Sequence, residues 1–387
     1  MKKPTLRFKE FDEEWVEKKI VDVAPLQRGF DLPNSQLKPG SVPVVCSNGI
    51  VAYHNTSKCC APGLVTGRSG TIGKFTLISE GYYWPHNTSL WVTDFKKNLP
   101  VFISYLYQTI QIEKYATGSG VPTLNRNDVH EHKCFISIDK AEQAAIGSFF
   151  TELDSLIECE RVKLDKLKKL KQAYLGKMFP KKGFRVPEVR FKGFAGDWNE
   201  KPLGNIGSSY TGLSGKGKAD FGHGNASYIT YMNVFSNPVA TLEQTDKIEI
   251  DKKQNCVKKN DVFFTVSSET PEEVGMTSVW TYETENVYLN SFCFGFRPNE
   301  NIDPYYFAYL MRSPIERSQI ILLAQGISRF NISKSKMMNI SVLLPTVPEQ
   351  KKIGAFFQNL DNLINLQQKK LDKLANIRSA CLSKMFA

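Results

Sequence analysis

Apolar residues recur at helical spacing through two long stretches of the chain, 142–179 and 349–386. With Leu153 as a heptad a position, the a sites of the first stretch are Ile146, Leu153, Glu160, Leu167 and Tyr174. Its d and e sites supply Phe149, Phe150, Leu156, Ile157, Leu164, Leu170 and Met178, a face wide enough for packing in a bundle. Ile353, Phe356, Phe357, Leu360, Leu363, Ile364, Leu371, Leu374 and Ile377 fall the same way in the second. The stretches align at a constant offset of 207 with twenty of thirty-eight positions identical, so the chain is an internal duplication. The pattern predicts two helices, each ~57 Å long at 1.5 Å per residue. Neither can bury its stripe alone, so the two are expected to pack antiparallel about a pseudo-twofold axis. Each is polar at its centre, with Glu160 and Lys163 in one and Gln367 and Lys370 in the other. A crossing near residues 162 and 369 would bring Glu160 close to Lys370.

The residues ahead of each helix have a different texture, short apolar runs broken by Gly, Asn and Pro. Strands are predicted at 42–46, 63–66, 74–78 and 89–93, with counterparts at 228–231, 262–266, 277–282 and 291–296. A short helix follows in each half, over 100–112 and over 304–311, the latter N-capped by Asp303. Next comes a glycine-bearing loop, Gly118–Asn125 in one half and Gln325–Asn331 in the other. The entry to each half is also repeated, Pro4-Thr5-Leu6-Arg7-Phe8-Lys9 against Pro187-Glu188-Val189-Arg190-Phe191-Lys192. These divisions give globular segments at 1–140 and 183–347, and long helices at 141–182 and 348–387. The fold class is α/β (α+β): two similar globular domains separated by two long, antiparallel, packed helices.

Charge narrows the function. Lys and Arg number 50 against 39 acidic residues, a net charge of +11 that suits a polyanionic partner. The eight cysteines show no CxxC spacing, which reads as a reducing compartment and a cytoplasmic protein. His54, Cys59, Cys60 and His86 fit no zinc module by spacing, and no metal site is expected. No apolar run approaches the length of a membrane span, and no apolar segment follows the basic N-terminal residues as in a signal peptide.

Candidate chemistry is sparse. Asp303-Pro304-Tyr305-Tyr306 is similar to the (Asp/Asn)-Pro-Pro-(Tyr/Phe) motif of amino-methyltransferases but lacks its second proline. Gly67-Arg68-Ser69-Gly70-Thr71-Ile72-Gly73 lies between two predicted strands, which favours a hairpin turn over a phosphate loop. Arg68 is placed at its tip, where it could read a guanine edge or touch a phosphate. Ser267–Gly275 replaces this turn in the second half. No catalytic residues are identified.

Two divergent segments, each followed by a copy of one long helix opening on Glu-Gln, resemble the DNA-specificity subunits of type I restriction–modification systems. The residues that carry the resemblance are Glu142-Gln143, Ile146-Gly147, Phe149-Phe150 and Leu153-Asp154 with their copies from Glu349-Gln350 onward. Asn48-Gly49 and the loops at Gly118 and Gly326 add to it. The resemblance implies a non-catalytic protein with two target-recognition domains, each reading half of a bipartite, asymmetric site in double-stranded DNA. The helices would space the domains and dock two methyltransferase subunits, and two motor–nuclease subunits would join for restriction. S-adenosylmethionine, ATP and Mg would belong to those partners, with no cofactor on this chain. The loops put forward for DNA contact carry Asn48, His54, Asn55, Lys58, Arg68, Ser119, Thr123, Asn125 and Arg126 in the first half. In the second half they carry Tyr231, Asn233, Ser267, Ser268, Ser328, Arg329 and Asn331. The helix positions put forward for subunit contact are Phe149, Phe150, Leu153, Leu167, Phe356, Phe357, Leu360 and Leu374. The competing reading is a structural adaptor or silent-cassette protein that holds DNA only electrostatically.

Overall fold

A computed structural model describes residues 4–118 and 120–386. The chain divides into two compact units, Met1–Arg161 with Lys369–Ala387, and Val162–Gln368. Four helices organise them: α1, Pro100–Thr109; α2, Lys140–Lys177; α3, Pro304–Met311; and α4, Val347–Met385. Each long helix is therefore cut by the division, and each unit holds a piece of both.

In the first unit a four-stranded antiparallel sheet runs in the order Leu26–Arg28, Ser89–Val92, Gly63–Gly67, Phe75–Ile78. A second sheet is built on Val42–Cys46, which pairs antiparallel with Gly49–His54 and parallel with Tyr82–Pro85. The second unit repeats the scheme. Its main sheet runs Gly207–Thr211, Cys293–Pro298, Val262–Thr265, Thr277–Val279. Its other sheet centres on Phe221–Ile229, which pairs antiparallel with Thr245–Ile248 and parallel with Val287–Leu289. The predicted strands are present with shifted ends: Val42–Cys46 is unchanged, Thr277–Val279 is shorter, and Phe221–Ile229 begins seven residues earlier. One boundary moves for a local reason: Thr230 accepts from Asn233 N at 3.2 Å as an N-cap, so Tyr231 opens the helix Tyr231–Ser236 instead of closing a strand. Helix α1 likewise stops at Thr109, because Gln111 turns into the left-handed region at φ 53°.

The long helices run antiparallel within each unit. In the first, Asp154 meets Arg378 and Glu160 meets Lys370 at 3.0 Å, so the partner's number falls as the first rises. In the second, Lys171 meets Asp361 at 2.5 Å and Tyr174 packs edge-on against Phe356. The Glu160–Lys370 contact inferred from the polar heptad is thus present, with Glu160 buried. The Met-Phe pairs that end each helix join the cores, while Lys177 and Lys384 are exposed. Phe386 packs on Trp15, Phe102 and Phe150 in the first unit; Phe179 packs on Trp198, Tyr306 and Phe357 in the second.

The repeated positions at the head of each helix also have specific duties. Gln143 Oε1 accepts from Leu99 N at 2.9 Å and Gln350 Oε1 accepts from Asp303 N at 3.0 Å, so the glutamine pins the start of the short helix. Glu142 and Glu349 each take a paired arginine, Arg7 at 2.6 Å and Arg190 at 2.7 Å. Asp154 accepts from the Tyr105 hydroxyl, and Asp361 from that of Tyr309, while each also binds its cation from the other long helix.

Gly354 is required by close approach. A Cβ there would lie 2.6 Å from Asp303 Oδ1 and 2.7 Å from Tyr306 N, inside the cap of α3. Gly354→Ala is expected to cost about 1–3 kcal/mol by overpacking. Gly147→Ala, whose Cβ would meet the Val101 side chain at 3.1 Å, should cost less. Denaturant unfolding of the two variants gives the order.

Candidate nucleic-acid interface

In each unit, backbone pairing draws a strand-end turn and the glycine-bearing loop together. In the first, Leu124 N donates to Arg68 O at 2.7 Å and Gly70 N to Pro122 O at 3.0 Å, with a bridge between Ser69 and Thr123. Lys74 Nζ reaches Asn48 O at 2.5 Å, which ties the turn at Asn48-Gly49 to the same place. In the second, Ser267 and Ser268 pair antiparallel with Asn331 and Phe330, and the Tyr231 hydroxyl donates to Ser267 O at 2.8 Å. The loops singled out in the sequence therefore converge within each unit, although they are far apart in the chain.

The individual side chains divide into two groups. Asn48, Asn55, Lys58, Asn125, Arg126, Ser328, Arg329 and Asn331 are exposed, Thr123 is half-buried, and Ser119 lies outside the described residues. Lys58 lies 5.1 Å over the Trp84 ring and 5.6 Å over Phe30. Asn125 spends its carbonyl as an N-cap, accepting from Asn127 N at 3.1 Å.

His54 is a correction. It is 5% exposed, stands edge-on to Trp84, and its Nδ1 accepts from Lys38 N at 3.1 Å, so the ring is wall rather than reading group. Asn233 is another. Wholly buried, it donates to Thr241 O and Gln244 O and accepts from Thr241 N, closing a loop. Ser267 and Ser268 are also buried; Ser268 Oγ donates to Glu273 Oε2 at 2.9 Å. Arg68 is half-buried instead of standing at a turn tip, with its Nη1 donating to Asn87 O at 3.2 Å.

Three of the helix positions put forward for partners are corrected in the same way. Phe150 and Phe357 are wholly buried, Leu360 nearly so, and Phe149 and Phe356 pack against the same cores. The Phe150 and Phe357 rings close the chain on itself, whereas Phe149 and Phe356 are half-buried. Leu153, Leu167 and Leu374 are half-buried. Asp303, considered above for its methyltransferase-like setting, caps α3 by accepting from Tyr306 N at 2.8 Å. Among the described residues no group of three or more His, Cys, Asp or Glu could hold a metal ion, and no helix is long and apolar enough to cross a membrane.

A groove that the sequence did not reveal completes the first unit's loop cluster. It is lined by Gln27, Arg28, Asp31, Arg68, Thr117, Thr123, Asn125 and Arg126. Gln27 and Arg28 end the strand Leu26–Arg28, which lies outside the strands predicted above. The only available signal was the polar run Gln27-Arg28-Gly29 after an apolar strand start.

A family model for the type I restriction modification DNA specificity domain matches residues 12–169 and 195–376. A provisionally named type I restriction enzyme MjaX specificity subunit of Methanocaldococcus jannaschii is 24% identical over 165 residues, 41% of this chain and 38% of the relative. The StySPI specificity subunit of Salmonella potsdam is 22% identical over 186 residues, 46% of this chain and 40% of the relative. The alignments thus span less than half of these curated relatives. The crystal structure of a type I restriction–modification S subunit from M. genitalium shares the fold at TM-score 0.64 and 17% identity, covering 100% of this chain and 99% of that one. A chain from a structure of type I restriction–modification complex assembly does so at TM-score 0.58 and 15% identity, covering 97% and 98%.

Proposed function

The chain belongs to the type I restriction modification DNA specificity family, and from that premise we propose that it is the sequence-reading subunit of such a system. Each unit reads one half of a bipartite, asymmetric site in double-stranded DNA. The observation that carries this reading is the doubled loop cluster: two related scaffolds present different polar loops at corresponding places. Two functionally distinct half-sites call for that kind of duplication. The +11 charge supplies the sequence-independent attraction to phosphates.

The chain is a non-catalytic, cytoplasmic component. Methylation of adenine N6 with S-adenosylmethionine belongs to two methyltransferase subunits, and ATP- and Mg-dependent cleavage to two motor–nuclease subunits. The domains as read in the sequence, 1–140 and 183–347 with helices at 141–182 and 348–387, are the reading and spacing parts. The half-buried Phe149, Leu153, Leu167, Phe356 and Leu374 remain candidates for contact with a partner, while the buried Phe150, Phe357 and Leu360 do not.

Methylation sequencing of cells that carry this chain with its methyltransferase subunits tests the proposal. One bipartite motif is expected. Exchanging residues 325–331 for the equivalent loop of another family member should change one half of that motif and leave the other half unaltered. DNA binding that falls with salt and shows no preferred site would favour the adaptor reading instead.

A further inference from the structure

We propose that Arg28 and Arg68 read a G·C base pair in the first unit's half-site, with Asp31 and Asn87 as the residues that position them. This rests on the proposed DNA-reading function and specifies its chemistry at one groove. Asp31 Oδ1 accepts from Arg28 Nη2 at 3.3 Å and also from the side-chain amide of Asn87. The backbone carbonyl of that same Asn87 accepts from Arg68 Nη1 at 3.2 Å. The two guanidinium groups are thus linked through one acidic side chain and one asparagine. Both arginines line a single groove open to solvent.

Stability does not explain the arrangement. The side chains of Arg28 and Asp31 are 51% and 70% exposed, and ion pairs that open to water add little. Orientation does explain it. A long side chain tethered at one nitrogen keeps its remaining donors in a fixed fork, and less freedom is lost when they bind. Guanine presents O6 and N7 as adjacent acceptors on its major-groove edge, which a guanidinium fork matches, and no other base offers two acceptors there.

The acidic member distinguishes this from a phosphate site. A carboxylate at the mouth of a groove repels a phosphate that would sit on the same arginines. It can, however, accept from cytosine N4, the donor that the opposite strand places beside guanine. Arginine and aspartate together therefore match both members of one pair. Gln27 and Asn125 flank the groove with amides, and Arg126 adds a third guanidinium that is available to a backbone phosphate beside the pair.

The test is selection from a random-sequence duplex library by the full chain, alone and with its methyltransferase subunits, followed by sequencing. The wild-type motif should contain an invariant G·C pair in one half-site. Arg68→Ala and Arg28→Ala should each make that pair degenerate, lower binding to the parent motif by about 10- to 100-fold, and leave the other positions intact. Asp31→Asn, which keeps the shape but weakens the hold on Arg28, should relax the same pair partially. A purely structural role for Asp31 would not alter base identity at one position. Loss of binding that is uniform over all sequences would assign the arginines to phosphate and overturn the proposal. So would an unchanged motif. If the wild-type protein selects no motif in either form, the DNA-reading function itself fails.

Discussion

Glu142→Ala is expected to destabilise the first unit by about 3–5 kcal/mol, the cost of breaking a buried ion pair from one side. Glu142 is wholly buried and receives three donors: Arg7 Nε at 2.6 Å, Arg7 Nη2 at 2.9 Å and Trp15 Nε1 at 3.0 Å. The bidentate contact holds the Arg7 guanidinium above its ordinary pKa, an effect that the hydrogen bonds to Glu142 dominate. Truncation leaves a guanidinium with 11% side-chain exposure and an indole N–H without an acceptor. It also loosens the head of α2, where the neighbouring Gln143 pins α1. Glu142→Gln should fall between parent and alanine variant, because it keeps the volume and one acceptor but loses the charge. Native-state hydrogen exchange separates the response of the first unit from that of the second, which one melting temperature would merge. A loss below about 1 kcal/mol would mean that water replaces the carboxylate, and that the pair is no anchor.

The second unit repeats the pair but not all of it. Arg190 donates to Glu349 at 2.7 and 2.8 Å, while Trp198 Nε1, the counterpart of Trp15, is buried with no hydrogen-bond partner among the described residues. The sequence displays the repeated Arg, Trp and Glu, and in this it discloses more than helical periodicity. Identity across a duplication marks positions constrained by contacts that both halves retain. The reason for each identity becomes visible only in three dimensions, because Arg7 and Glu142 are 135 residues apart.

Strand positions were legible because short apolar runs and the Gly, Asn and Pro that break them are local signals. The loops were legible too, since a duplication identifies places where scaffold gives way to divergent surface. What the sequence could not disclose was the direction of individual polar side chains. His54 and Asn233 look like surface readers by residue type, yet each satisfies backbone groups inside a loop. Phe149-Phe150 and Phe356-Phe357 look like a partner's docking stripe by helical spacing. Their use within the chain depends on which segment folds against the helix, and periodicity carries no such information. Arg28 was missed for the converse reason: nothing near it in sequence announces Asp31, Asn87 and Arg68 as a set.

The largest pH effect is expected from Glu316. This carboxyl is 2% exposed near the head of the helix Pro314–Ile321. Burial pushes its pKa up to about 8, and the nearby Glu200 carboxylate adds to the rise. The side-chain amide of Gln319 donates to its Oε2 at 3.0 Å. The folded protein therefore keeps a proton that the unfolded chain, with an ordinary carboxyl near 4.5, has already released. Stability linked to this group is full below about pH 4.5 and falls as pH rises towards about 8, by as much as about 5 kcal/mol. Beyond that both states are ionised and the loss levels off. Glu316→Gln supplies a neutral side chain of the same shape whose carbonyl can accept from Gln319. It should remove the slope and make the second unit more stable than the parent above pH 8, with little difference near pH 5. Urea unfolding of both proteins from pH 5 to 9, read by hydrogen exchange in residues 300–345, measures it. A parent whose stability is flat across that range would show that Glu316 ionises freely. A variant weaker than the parent at every pH would show instead that the carboxyl makes a contact the amide cannot replace.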